Sequence, residues 1–86
     1  MQYREGMIVW SDAGHDQHQF YVVVAVEGGY VYIADGKRRK VEKPKRKNPI
    51  HIKRTASEVS VSDIDTNKKI RRVLRDFNDT AVPVAE

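Results

Sequence analysis

The pattern of apolar residues in the first third of the chain predicts three β-strands. Residues 7–10 form a short apolar run that Gly6 opens and the loop-forming residues 11–14 end. Residues 20–26 read FYVVVAV, and so many β-branched and aromatic side chains favour a largely buried central strand over a helix of that length. Gly28-Gly29 can take the positive φ angles of a tight hairpin turn, so residues 30–34 are predicted as the returning strand.

A turn and a fourth, basic strand are predicted for residues 35–43. The sequence opens with the turn signal Asp35-Gly36 and continues through lysines and arginines. Pro44 and Pro49 then bracket residues 45–48. Because proline cannot donate to a central hydrogen-bond ladder, this part of the chain should be a sheet edge or an exposed loop.

The alternation at residues 50–53 predicts a closing strand. Ile50 and Ile52 should point inward, while His51 and Lys53 should point to solvent. Five short strands in about fifty residues suggest a small, strongly bent antiparallel barrel over residues 1–55.

The last third of the chain changes character. Residues 56–64 are polar without clear periodicity and are predicted as a linker. A helix is predicted over residues 65–78, with Asp65 or Thr66 as its N-cap, and residues 79–86 form a tail. Its apolar positions follow the i, i+3, i+4, i+7 spacing of one helix face: Ile70, Val73, Leu74 and Phe77.

Charge is concentrated in one segment. Residues 37–54 hold ten lysines and arginines against one acidic residue, a net charge of +9. The whole chain carries +4, so the remainder carries −5. A local, oriented positive field is typical of a protein that meets a polyanion with one face, although a solvated basic tail would give the same composition.

Composition also limits the class of protein. The chain has 86 residues, enough for one small domain, and no cysteine, so neither disulfides nor thiolate metal sites are available. Its first residues lack an apolar stretch of signal-peptide or membrane-spanning length, so we expect a soluble cytoplasmic protein without a membrane partner. No nucleophile with a base, phosphate-binding glycine loop or carboxylate pair is recognisable, so we expect a monomeric binding protein without a cofactor rather than an enzyme.

Residues 5–54 resemble KOW-domain proteins, in particular the stand-alone bacterial ones that are similar to archaeal and eukaryotic large-subunit ribosomal proteins. The first matching stretch contains Gly6, Val9, Ser11, Ala13, Gly14 and Asp16. The second contains Asp35, Gly36, Lys37, Arg39, Lys40, Lys43, Pro44, Lys45, Lys47, Asn48 and His51. The helix that often follows is matched by Thr66, Asn67, Ile70, Arg71 and Leu74.

This resemblance implies an SH3-like barrel that binds structured RNA, commonly ribosomal RNA. The family loop usually reads G-[KR]-D-[KR]-G-[KR], whereas residues 14–19 here read GHDQHQ. Three cationic positions and one glycine that would let the loop approach a phosphate backbone are therefore replaced. The departure shifts phosphate neutralisation onto residues 37–54.

Two sets of candidate RNA-binding residues follow. The main set is Lys37, Arg38, Arg39, Lys40, Lys43, Lys45, Arg46, Lys47, His51, Lys53, Arg54, His15, Gln17 and His18. A secondary basic surface on the helix consists of Lys68, Lys69, Arg71, Arg72 and Arg75. Lysine supplies a mobile point charge and arginine a planar fork that can grip two phosphate oxygens.

The histidine loop has three interpretations. His15 and His18 could bind a metal with Asp12 and Asp16, but no known ligand spacing is matched and no metal is expected. Histidine that gains charge just below neutrality could give a pH-dependent RNA contact. The third interpretation is an ordinary polar loop with some ligand contact.

The aromatic residues leave the function open. Alternation places Tyr30 and Tyr32 on one face of their strand, where they could stack on bases, grip a peptide, or pack against the barrel wall or the helix. An SH3-like module for an acidic or peptide partner is therefore one alternative to RNA binding. A DNA-binding module is another, because charge alone does not separate DNA from RNA.

Overall fold

The computed structural model of this chain describes residues 2–11 and 19–80. Its elements are five strands and a C-terminal helix: β1 (Met7–Ser11), β2 (Phe20–Glu27), β3 (Tyr30–Ala34), β4 (Lys45–Lys47), β5 (Ile52–Glu58) and α1 (Asn67–Thr80). Two short 3₁₀ helices, Pro49–His51 and Val61–Asp63, precede β5 and α1 respectively. The predicted mainly β class with a C-terminal helix is confirmed.

The strands form one antiparallel sheet in the order β4-β3-β2-β1-β5. Both β4 and β5 are edge strands, so hydrogen bonds do not close the sheet into a barrel among the described residues. Strand β4 lies between Pro44 and Pro49 at an edge of the sheet. This agrees with the prediction, because proline has no backbone N–H to donate to a central ladder.

The β2–β3 hairpin is the tightest connection in the sheet. Gly28 and Gly29 adopt φ angles of +60° and +83°, and Glu27 pairs directly with Tyr30 across the turn. The register shifts between Val23 and Ala25, which marks a bulge that bends the strand and increases its twist.

One face of the sheet encloses a core made almost entirely from the strands themselves. Its buried members are Met7, Val9, Tyr21, Val23, Val31, Ile33 and Ile52, with Tyr3 packed against them. These residues come from β1, β2, β3 and β5, so four of the five strands contribute to this core. The Tyr3 hydroxyl donates to the Ile52 carbonyl over 3.0 Å and ties the N-terminal segment to the start of β5.

The opposite face is covered by α1. Ile70 and Leu74 are buried there against Ile8 and Val22, and Phe77 meets Phe20 edge-on with ring centroids 5.0 Å apart. The predicted apolar stripe is thus the docking face of the helix. Thr66 caps it, because its Oγ1 accepts the backbone N–H of Lys69 over 3.2 Å.

Three local predictions differ from the structure. Residues 37–43 contain no strand, because their backbone bonds within a turn and to α1 instead of to the sheet. Ile50 is 73% exposed, because it lies in the 3₁₀ helix and not in the alternating part of β5. The segment predicted as a linker begins with the last residues of β5 and ends near Ile64, which is buried against the helix.

In the described part of the chain, no helix has the length and apolar character needed to cross a membrane.

Candidate functional site

Most cations of the basic segment, residues 37–54, lie in two kinds of structure. Residues 36–43, called the basic loop below, lie between the end of β3 and the sheet edge, and β4 follows them with Lys45, Arg46 and Lys47. Both parts are ordered in the fold and neither is a tail. This excludes the interpretation of the basic segment as a solvated terminal extension.

Asp35 organises the start of the basic loop. Its Oδ1 accepts the backbone N–H groups of Lys37 and Arg39, each over 2.9 Å. The backbone N–H groups of Asp35 and Gly36 both donate to the Arg39 carbonyl, over 2.9 and 3.1 Å. One carboxylate therefore fixes a tight turn and leaves the cationic side chains outside its hydrogen bonds.

Helix α1 holds the rest of the basic loop. Asn67 Oδ1 accepts the Val41 N–H over 2.8 Å, and Arg71 Nη1 donates to the Gly36 carbonyl over 2.8 Å. Asn67 Nδ2 also donates to Glu42 Oε1 over 2.8 Å, and this hydrogen bond lowers the pKa of Glu42 from its ordinary value of 4.5. The single acidic residue of the segment is thus used to dock the loop.

Gly36 permits this close docking. Its φ angle is +80°, and a Cβ at this position would lie 2.5 Å from the Asn67 carbonyl oxygen. A side chain would therefore be strained by its backbone conformation and would collide with the helix.

Several cations of the basic loop are available for a ligand. Among the residues that the structure describes, Arg38, Lys40 and Lys43 have no carboxylate within ion-pair distance, and all three are exposed. Their charge is not needed for the contacts that order the loop.

A cleft lies between the Asp35-Gly36 turn, the start of β2 and α1. Lys37, Arg71 and Arg75 contribute three positive charges to its lining, and Asp35, already committed to the turn, contributes one negative charge. Phe20 and Leu74 supply apolar surface. The structure thus brings the start of the main basic segment and part of the predicted secondary surface together.

The other flank of α1 has the opposite charge. A shallow groove between β5 and the helix is lined by Glu58, Asp63 and Asp76, with Val73 and Phe77 among its apolar residues. The cleft and the groove lie on different sides of one helix, so the charge of the molecule is oriented across it. Of these two flanks of α1, a polyanion would be attracted to the cleft and not to the groove.

The β4 part of the site contains an aromatic contact. The guanidinium carbon of Arg46 lies 4.6 Å from the centroid of the Tyr30 ring. Arg46 is also the register partner of Tyr32, so all three side chains share one face of the sheet. Lys45 and Lys47 alternate to the other face and are half-buried.

Other predicted residues are spread more widely. His51 is exposed in the 3₁₀ helix between β4 and β5, and Lys53 and Arg54 are exposed on β5, whose hydrogen-bonded partner is β1 and not β4. Arg54 Nη1 donates to the Gln2 carbonyl over 3.3 Å. The β5 cations therefore belong to the opposite edge of the hydrogen-bonded sheet.

The cations of α1 also differ in their surroundings. Lys68 and Arg72 are exposed and lie one turn apart, whereas Lys69 forms an ion pair with Asp65 over 3.1 Å and donates to the Ser62 carbonyl. Lys69 thus stabilises the start of the helix. His15, Gln17 and His18 lie outside the described residues.

Two residues that organise this site are not among the cations that the charge pattern selected as candidates. Asp35 and Asn67 carry the hydrogen bonds that shape the basic loop, and the Asn67 contact joins positions 26 residues apart. The Asp35-Gly36 turn signal indicated Asp35. Nothing in the sequence around Asn67 indicates that it bonds to Val41. Among the described residues, no group of three or more His, Asp or Glu side chains is placed to hold a metal ion.

No protein-family model matches the chain. No curated protein matches its sequence either. The resemblance to KOW-domain proteins therefore stays a prediction drawn from the motif residues.

Proposed function

We propose that this protein is a non-catalytic RNA-binding protein that recognises structured RNA, with ribosomal RNA as the expected target. The observation that carries the proposal is the contact between Arg71 and the Gly36 carbonyl. It joins the basic loop to the basic flank of α1, so that cations from both parts line one cleft. A surface of this kind can neutralise several phosphates of an irregular RNA backbone at once.

We also propose that the sheet is curved into an SH3-like barrel. One face of the sheet holds a core built from four of its own strands, β5 follows a single 3₁₀ turn, and the helix packs on the opposite face. These features support the fold that the KOW resemblance implies. The choice of RNA over DNA rests on the same resemblance, since phosphate neutralisation serves both.

A salt titration tests the proposal. The affinity for a structured ribosomal RNA fragment should fall linearly with salt on logarithmic axes, with a slope of roughly 0.7–0.9 for each neutralised phosphate. Replacing Lys45, Arg46 and Lys47 together by alanine should make the slope shallower by about 2 if all three contact phosphates. Thermal unfolding of the triple variant serves as the folding control.

Two outcomes would contradict the proposal: affinity that is flat in salt, or a folded triple variant with unchanged affinity and slope. Flat affinity would favour a peptide-binding module. Competition between duplex DNA and structured RNA at one salt concentration separates the remaining alternative, because a DNA-binding module would prefer the duplex DNA.

A further inference from the structure

Tyr30 and Arg46 form a stacked pair at the exposed edge of the sheet. The guanidinium carbon of Arg46 lies 4.6 Å from the ring centroid, within the range of a cation–π contact. Tyr30 is 38% exposed, which makes it one of three large apolar residues exposed in the described chain. The contact holds a planar cation against an aromatic ring on the surface.

This aromatic surface lies outside the buried core. Tyr32 lies directly opposite Arg46 and shares the face of Tyr30, yet neither tyrosine belongs to the two hydrophobic clusters formed by the described residues. The helix therefore packs elsewhere on that side of the sheet. Exposed Tyr30, half-buried Tyr32 and exposed Arg46 therefore form a surface beside the buried core and not within it.

The surrounding charges indicate the orientation of such a ligand. Glu27 is the register partner of Tyr30, so the hairpin end of this face is acidic, while β4 brings the cation Arg46 to the same face. An acidic peptide lying across the tyrosines would meet Glu27. A ligand with an uncharged planar group over the tyrosines and an anion beside β4 would avoid repulsion by Glu27 and be attracted by Arg46.

A nucleotide has this construction. Unpaired bases stack on aromatic rings and on arginine guanidinium planes, and each base is joined to a phosphate. A base inside a continuous duplex has both faces covered by its neighbours and cannot reach such a surface.

We propose that Tyr30, Tyr32 and Arg46 form a stacking platform for an unpaired nucleobase, so that the preferred RNA has a bulge or loop at this position. This inference rests on the proposed RNA-binding function and specifies the class of RNA. Arg46 contributes both a planar surface and the positive charge that meets the adjoining phosphate.

The test compares two RNA hairpins of equal stem length. One has a single bulged 2-aminopurine, and in the other the same base is paired. The wild-type protein should bind the bulged hairpin about tenfold more tightly, since stacking of one base on an aromatic side chain supplies discrimination of about this order. Stacking should also quench the 2-aminopurine fluorescence.

Variants separate stacking from charge. Tyr30→Ala should reduce the ratio of the two affinities to near one, and Arg46→Lys, which keeps the charge but loses the planar fork, should reduce it partly. Tyr30→Phe keeps the ring and should restore the ratio. Val61→Ala, which truncates another exposed apolar residue far along the sequence, is the matched control.

The outcomes distinguish the two proposals. If neither hairpin binds, the proposed function is overturned and this inference with it. If both bind equally and with steep salt dependence, RNA binding stands and the platform is overturned. A bulge preference that survives in folded Tyr30→Ala also overturns the platform, because the preference then arises elsewhere.

Discussion

The basic loop and strand β4 carry similar charge but are held in place by different contacts. The loop is ordered by Asp35, Asn67 and Arg71 through polar contacts, two of them to a helix distant in sequence. Strand β4 is only three residues long and is ordered by backbone pairing with β3. The cations of the loop therefore depend for their placement on side chains outside the loop, two of them on the helix, whereas those of β4 depend on the sheet.

The largest effect is expected from Gly36→Ala, which disturbs the docking of the basic loop on α1 and leaves β4 unchanged. A positive φ for alanine and a Cβ 2.5 Å from the Asn67 carbonyl oxygen should destabilise the fold by at least about 2 kcal/mol. RNA affinity should fall with it, although no charge changes. Chemical denaturation and RNA titration give the two values.

Gly29→Ala is the matched control for Gly36→Ala. Its φ angle is +83°, close to the +80° of Gly36, but a Cβ there would have no atom within 4 Å. We expect a cost of about 1 kcal/mol from backbone strain alone. Equal losses of unfolding free energy in the two variants would show that the close contact between residue 36 and α1 adds nothing to the cost of the substitution.

Asn67→Ala should have the next largest effect. The variant leaves the partly buried Val41 N–H without its acceptor, at a cost of about 1–2 kcal/mol, and releases Val41 and Glu42 from the helix. RNA affinity should fall several-fold because the loop must be ordered during binding. Denaturation and RNA titration measure both effects.

Thr66→Ala provides the comparison for Asn67→Ala. It removes the helix cap at a similar cost of about 1 kcal/mol but breaks no hydrogen bond to the loop that the structure shows. If Thr66→Ala weakened RNA binding as much as Asn67→Ala, the effect would follow from lost stability and not from loop placement.

Three arginine substitutions compare the two regions directly. Arg38→Gln changes the basic loop and Arg46→Gln changes β4, and each should reduce the salt slope of RNA binding by about 1. Both positions are exposed, so stability should change by less than about 0.5 kcal/mol. Arg4→Gln removes the same charge from a residue paired with Glu58 outside both regions and should leave the slope unchanged.

A slope that responds to Arg46 but not to Arg38 would restrict the interface to the sheet edge. The reverse result would restrict it to the basic loop. An equal response to Arg4 would mean that only the total charge of the protein matters.

The smallest effect concerns the pH dependence of loop docking. The hydrogen bond from Asn67 lowers the pKa of Glu42, so the ionised form stabilises the folded state. This contribution is present above the unfolded pKa, about 4.5, and is lost as the pH falls through the lower folded value. The difference in melting temperature between the wild type and Glu42→Gln should therefore shrink between pH 6 and pH 3. A difference that stays constant would contradict the role of the ionised carboxylate.

Local patterns predicted the parts of the fold whose order is local. The apolar run of β2, the Gly28-Gly29 turn and the helix stripe each fix their own conformation through packing and backbone preference. Residues 37–43 have no such pattern. The Val41 N–H bonds to a side chain 26 positions away, so the basic loop takes its shape from a helix that must already be docked.

Ile50 shows the same limit on a smaller scale. Its spacing from Ile52 matches a strand, but the Asn48 side chain accepts the Ile50 N–H over 3.1 Å and begins a 3₁₀ turn. The candidate site was predictable as a set of cations. Its division into a docked loop and an edge strand was not, because that division depends on long-range hydrogen bonds.

Strand β4 has a second consequence, for self-association. An edge strand exposes unpaired backbone groups that can pair with another sheet and start aggregation, and short length and positive charge both oppose such pairing. β4 is three residues long and all three are cationic. The residues proposed to attract a phosphate backbone therefore also repel the edge of a second copy, and replacing them with alanine removes both properties together.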